Sequence, residues 1–513
     1  MNLLLFYPGM QTIIVVCLAV FAGAAVAIFL LKYKFKHPVI RKCLTILILA
    51  IAGLVLAYIL FYTISNAIGR AKVESRLAEM RTQGIPLDKD SVLPKMPEKN
   101  ADNGAFFYKA AFELMQVSPS YEAHFDLILR QSALDITTWP EQDRNAAQQL
   151  LKNKDMELIL SLFRQGAEKP YAVYKREYRG YATELPELNS QRNLLRLVCM
   201  KSSAEGLNGN PDAGYSLVLG GFKTIKQFES EPFPVSQLVN MACTSQNIDA
   251  MTALISRYGI SRQNAEQLLS ELDQFDFEAS MIHAMDGEIL ICRDLFEKFM
   301  TGHKFDSIEK GMIMEKLEFY SPPYPKEGMV IVGVKFFLSA FFNIEKEILL
   351  GRLNFLLPVC PFFYQDDAYY LEQEVKIRML YSKPYWIVEK EMKELNDESS
   401  NTPPQYLISA ILFEPYRMVS YRTKTANIES EIDAAKLTLA LHVYKNQHGV
   451  FPDTLGQLAP EILKDIPVDP ISGKPFEYRK IDKAFTISSV WLKEKEERIR
   501  QNAELHKRNK GGK

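Results

Sequence analysis

Six acidic and imidazole side chains between positions 273 and 288 are the first residues in this chain that invite a chemical reading. They are Asp273, Asp276, Glu278, His283, Asp286 and Glu288. His283 and Asp286 stand three apart and share a helical face, as would a metal-ligand pair or a base with its orienting carboxylate. Glu288 is five residues from His283 and falls off that face. The chain has only seven histidines, none of them near His283, so zinc ligation is not expected. A solvated acidic side of a helix is the favoured reading. His283, Asp286 and Glu288 are carried forward as candidate binding residues, with no catalytic or metal-ligating role.

Other words of chemistry are missing. There is no H-E-x-x-H, G-x-S-x-G, Walker loop or G-x-G-x-x-G. Ser307-Ile-Glu-Lys310 matches S-x-x-K, but its partner motifs are absent and so short a pattern arises by chance. The expectation is a non-enzyme without cofactors. A hydrolase with a site assembled from distant residues stays open as an alternative. A formal net charge of -1 argues against a nucleic-acid partner, which needs a basic footprint. Hydrophobic content of 47% with 24% charged residues is that of a globular chain with a real core. Cys17 and Cys43 lie in apolar runs, while Cys199, Cys243, Cys292 and Cys360 are scattered singly among apolar neighbours. Buried free thiols are favoured for these four, although three disulfide connectivities are open to them.

The elements that must position any site hang from two apolar runs, residues 12–31 and 43–64, neither of which carries a charge. At about 1.5 Å per helical residue, each covers the roughly 30 Å hydrocarbon core of a bilayer. A transmembrane hairpin over residues 1–64 is the reading. Its link carries Lys32, Lys34, Lys36, Arg41 and Lys42, whereas residues 1–11 have no Lys or Arg. Basic loops stay cytoplasmic, so both ends and the body are expected on the extracytoplasmic side. The first run lacks the basic start of a signal peptide and is followed by a second span, so it is read as a span.

Residues 65–100 read as a juxtamembrane helix, ended by Gly84, and a Pro-rich tether that lifts the body off the membrane. Residues 101–404 follow as an α-helical body. Within it, Pro140 opens one long helix toward Gly166, and residues 188–299 are helices cut by turn signals at 206–211, 231–234 and 259–261. With Ala204, Gly206, Gly209, Ala213 and Gly220 at small positions, the first pair resembles a tetratricopeptide helical hairpin, although no 34-residue period repeats. Residues 329–342 suit a buried core helix, 349–363 form another apolar patch, and 369–395 read as one charged helix before a polar linker. From Gln405 a long helix runs to His448 with Ile428, Ile432, Leu437, Leu441 and Tyr444 on one buried stripe, to be covered by residues 329–363. Residues 491–513 form a charged, frayed helical tail.

The long helix leads into His448-Gly-Val-Phe-Pro-Asp-Thr-Leu and then Asp465-Ile-Pro-Val-Asp-Pro-Ile-Ser-Gly-Lys-Pro-Phe-Glu-Tyr-Arg479. Short strands at 475–479 and 484–490 complete a small antiparallel sheet. Residues 432–490 resemble the globular part of a major type II secretion pseudopilin, on Gly449, Pro452, Asp469, Pro470, Gly473, Pro475 and Tyr478. The resemblance implies a small α+β unit over residues 405–490, with those seven residues shaping its turns. Departures are clear: the pseudopilin Glu five residues into the first apolar run is absent, and the unit lies at the far end of the chain. Acidic calcium ligands after the last strand are replaced by Ser488-Ser-Val-Trp-Leu-Lys, so no calcium is expected. The whole chain also looks like uncharacterised bacterial membrane-anchored helical proteins.

The fold expected is mainly α: a two-helix transmembrane hairpin, a multi-helix extracytoplasmic body with repeat-like hairpins, and the pseudopilin-like unit. The function expected is a bacterial inner-membrane, multi-pass protein whose body serves interaction or scaffolding, with the lipid bilayer and other membrane or secretion-system proteins as partners. An accessory component of a type II secretion or type IV pilus-like system is the first alternative.

Overall fold

The computed structural model describes residues 22, 23, 26, 29, 38–130, 135–301, 303, 305–307, 309–311, 360–399, 406, 408, 409, 415–482 and 484–511. The expected first span, 12–31, and the patches at 329–342 and 349–363 lie largely or wholly outside these residues.

Helix α1, Pro38–Thr82, is unbroken. Leu47, Leu54, Leu56 and Leu60 stand on its open surface, Leu54 with 72% of its area exposed. Among the described residues it is the one helix long and apolar enough to cross a membrane. Its end is a Schellman turn: Ile85 N–H donates to the Met80 carbonyl at 2.9 Å and Gly84 N–H to that of Arg81 at 3.1 Å. Gly84, at φ +71°, supplies the left-handed residue that the turn needs.

After a single turn at Lys89–Val92, the body opens with α2 (Ala105–Val117), α3 (Pro119–Arg130), α4 (Glu141–Leu151) and α5 (Lys154–Ala167). A segment without turn or bend, residues 171–179, leads to α6 (Glu187–Leu207), α7 (Pro211–Gln227), α8 (Pro234–Tyr258), α9 (Arg262–Leu272) and α10 (Phe277–Thr301). Then come α11 (Phe363–Tyr381), α12 (Tyr385–Ser399) and α13 (Pro415–His448). The antiparallel pair β1 (Glu477–Ile481) and β2 (Ala484–Ser488) follows, with Arg479 opposite Thr486, and α14 (Val490–Gly511) closes the chain. The chain is mostly helical.

Local chemistry sets many of these ends. Pro211 and Pro234 sit in the first turns of α7 and α8, where no backbone donor is missed. Ser261 Oγ caps α9 by accepting the Asn264 N–H at 3.2 Å. The single helix expected from Pro140 is instead two, because Asn153 Oδ1 accepts the Asp155 N–H at 2.8 Å and starts α5 afresh. The charged helix expected over 369–395 is likewise split. Pro384 brings no N–H, and the residue before a proline is driven from helical angles, so α11 stops at Tyr381.

The tether expected after Gly84 lies against the body, with Ile85 and Val92 buried. The small residues serve several helix contacts. A Cβ on Gly206 would meet Leu254 and Tyr258 of α8 within 2.7 Å, whereas Gly220 faces Phe163 of α5.

Helix α13 is the hub. Leu437, Leu439, Ala440 and Leu441 are all without exposed area, so the helix is buried on more than the single expected stripe. Its cover comes from α8, α9, α10 and α12. The tail is docked at its start: Trp491 Nε1 donates to Glu431 at 2.8 Å, and Lys495 Nζ reaches Glu431 at 2.9 Å and Asp249 at 2.8 Å. Leu441→Asp should therefore lower the main melting transition of the whole chain, since even truncation of such a side chain costs about 2–5 kcal/mol. Loss of a separate minor transition alone would instead make the C-terminal unit independent.

A candidate binding groove

A cavity of about 670 Å³ opens where α2 and the segment 171–179 diverge, a volume in the range of ligand sites, about 300–1,000 Å³. One wall is a single face of α2, carrying Lys109, Phe112, Glu113 and Gln116. The opposite wall is the extended backbone from Val173 to Arg176, and the start of α6 closes the end with Glu187 and Ser190.

Asn103 and Gly104 hold the two walls together at the apex. The Asn103 side chain accepts the Val173 N–H at 3.0 Å and donates to the Val173 carbonyl at 2.8 Å, copying a strand partner. Gly104 N–H donates to the Tyr171 carbonyl at 2.6 Å. A side chain at Gly104 would strike the Gly166 carbonyl at 2.8 Å, so this close approach requires glycine.

Below the groove lies a buried ionic group. Arg176, its side chain 8% exposed, donates from Nη2 to Glu231 at 2.9 Å and ion-pairs with Glu187 at 2.6 Å. Its Nε and Nη1, and the Tyr174 hydroxyl, have no hydrogen-bond partner among the described residues. Tyr174 stacks on Phe228 with ring centres 5.8 Å apart, and burial holds its hydroxyl well above the usual phenol range. Burial also pushes the Glu231 carboxyl up to about 7, against the opposing pull of Arg176 and with help from Glu187. Two carboxylates share one guanidinium, and the spare charge is relieved by a proton.

The sequence candidates lie elsewhere. Asp286 is buried on α10 and accepts from Arg378 Nε of α11 at 2.9 Å, so it joins two helices and does not face solvent. Burial raises its carboxyl while the Arg378 hydrogen bond lowers it. His283 and Glu288 are half-buried. Glu288 helps burial push Glu374 of α11 up to about 8. The expected solvated acidic side is thus partly interior: Glu278 is half-buried and faces the wholly buried Arg422 at 3.4 Å, whereas Asp273 is exposed and pairs with Lys436 at 3.1 Å. Asp276 caps α10 through the Ala279 N–H at 2.8 Å. No group of three His, Cys, Asp or Glu among the described residues could hold a metal ion. Cys199, Cys243 and Cys292 are buried free thiols.

The seven turn residues lie in the stretch from the end of α13 into β1. Gly449 and Gly473 take φ +78° and +66°. Tyr478 hydroxyl donates to the Pro452 carbonyl at 2.7 Å, and Asp469 accepts from Ser430 of α13 at 2.9 Å. Pro475 bridges Val468 across the turn, and Pro470 is half-buried in it. Sequence reading passed over the groove residues Asn103, Tyr174, Arg176, Glu187 and Glu231. The available signal was the alternation of Tyr174, Arg176 and Tyr178 with Lys175 and Glu177, a period of two amid helices.

No family model, curated protein or solved structure matches the chain.

Arg176→Met would leave Glu187 and Glu231 buried together without their cation. Breaking such a pair costs about 3–5 kcal/mol, and melting at pH 8 should register it. In the intact protein Glu231 sits near 7 against an ordinary 4.5. Its favourable contribution is full below the ordinary value and is lost as pH rises through 7. The variant should accordingly regain much of its stability at pH 5. Equal loss at both pH values would show that the carboxylates are not the cause.

Proposed function

We propose that this chain is a membrane-anchored binding or scaffold protein, with its helical body on the extracytoplasmic side of a bacterial inner membrane. The observation that carries the reading is the way α1 continues from an apolar, open stretch directly into the body. Ser65 Oγ donates to the Pro361 carbonyl at 2.5 Å and accepts from Gln365 Nε2 at 2.8 Å. Gly69 lies so close to α11 that a Cβ would meet Tyr364 Cβ at 2.7 Å. Further on, Arg76 Nη2 pairs with Glu372 at 2.8 Å. These contacts advance together along both helices, so α1 and α11 run parallel away from the apolar stretch and the body is mounted rigidly on it.

The rest of the reading joins what the sequence contributes to this mount. The uncharged run at 12–31 makes a second span, giving a multi-pass hairpin with its basic link in the cytoplasm. The groove beside α2 makes the body a binding module, and the pseudopilin-like ending is a fold unit built into it.

A reporter enzyme fused after Lys99 should be active only when it reads the extracytoplasmic compartment, and one placed within residues 34–42 only as a cytoplasmic reporter. Membranes washed with alkaline carbonate should retain the chain. The reverse reporter pattern would turn the body into a cytosolic domain, and release by carbonate would remove the anchor altogether.

A further inference from the structure

The wall of the groove formed by residues 171–178 runs as an open strand-like edge. No turn or bend interrupts residues 172–179, and exposure alternates from Tyr174 onward, as in a strand. In a strand the N–H and C=O of one residue point to the same edge, and those of the next residue to the other. Tyr171, Val173, Lys175 and Glu177 therefore share an edge. Asn103 and Gly104 occupy it at Tyr171 and Val173. Beyond them α2 turns away as a helix. At Lys175 and Glu177 the backbone groups have no partner among the described residues. Consecutive residues from Val173 to Arg176 line the cavity, which places it along the edge of the strand and not over one face.

We propose that this groove binds an extended peptide segment of a partner protein, which adds to the edge at Lys175 and Glu177 and continues the pairing that Asn103 begins. This rests on the reading of the body as a binding module. The α2 face from Ala105 to Gln116 is about 16 Å long at helical rise, which matches about five extended residues at 3.3 Å each. Four exposed charges line the groove in balance, Lys109 and Lys175 against Glu113 and Glu184. None of the four is ion-paired among the described residues. A peptide bearing one acidic and one basic side chain complements them, while its backbone supplies the affinity and the walls select side chains.

The probe is a fluorescein-labelled acetyl-Val-Glu-Val-Lys-Val-amide and its charge-swapped counterpart, titrated against the full chain in detergent micelles. At least one should bind. Methylating the backbone nitrogens that face the edge should weaken binding by about tenfold or more, as loss of paired hydrogen bonds does. Methylating the alternate nitrogens should not. Lys175→Pro removes the open N–H at an exposed position and should give a similar loss, clearly larger than that of Lys175→Ala, which removes only the side-chain charge and keeps the N–H. Should Lys175→Pro misfold by its melting curve, the methylated peptides decide alone. Binding indifferent to both methylation patterns would overturn strand addition in favour of side-chain docking. Absence of binding by both probes at millimolar concentration would overturn the peptide site, including the case in which the chain fills its own groove. Carbonate retention in the membranes from which the chain is solubilised reports on the anchor separately, so failure of one is distinguishable from failure of the other.

Discussion

The close approach of α1 to α11 is the contact on which the rest of the molecule depends. A helix crossing hydrocarbon satisfies its own backbone and has no reason to stop at the surface. Here it continues to Thr82, and the turns after Ile64 carry small or polar residues that admit a second backbone. Gly69 lets the α11 chain in, Ser65 binds the Pro361 carbonyl, and Arg76 pairs with Glu372 farther out. A helix fixed at several successive turns transmits orientation as a rod would. The body is thereby fixed to α1, and the route between its apolar stretch and the body is not a flexible linker.

Behind that mount, the core is unusually ionic. Asp286 with Arg378 ties α10 to α11, and Glu278 with Arg422 ties α10 to α13. Glu374 and Glu429 are pushed up to about 8, chiefly by burial, with neighbouring carboxylates adding to it. Charges in such places contribute little net stability against well-packed apolar groups, yet removing one partner leaves an unpaired charge. They fix which helix faces which. The apolar part of the work falls to α13, whose leucines are enclosed by helices from both halves of the body. The short hairpin and the first turns of α14 are strapped to the same helix through Asp469, Glu431 and Lys495.

The groove follows from a break in this helical order. After α5 the chain runs extended past the start of α2, held by an asparagine side chain that imitates a strand. Pairing with that segment stops where α2 begins, because a helix spends its backbone donors and acceptors within itself. The groove opens between them beyond Gly104. Its floor is the Arg176 group, where one guanidinium serves two carboxylates and one proton is retained near neutral pH.

Sequence alone determined the helical class, the apolar stretch of α1 and many of the helix ends, because these are local. A run of uncharged residues, a proline in a first turn, Gly84 after a last turn or Ser261 before a first one act within a few residues. Breaks that depend on a single side chain, as at Asn153, were missed because the apolar spacing runs on across them. Only the tertiary structure decided that Asp286 is interior, since its face is made acidic by its own helix but buried by Arg378 on another. Of the groove, the sequence shows only the period-two alternation from Tyr174 to Tyr178. Asn103 and Val173 are far apart in the chain, as are Arg176 and Glu231, and nothing local reveals that packing will bring either pair within hydrogen-bond reach.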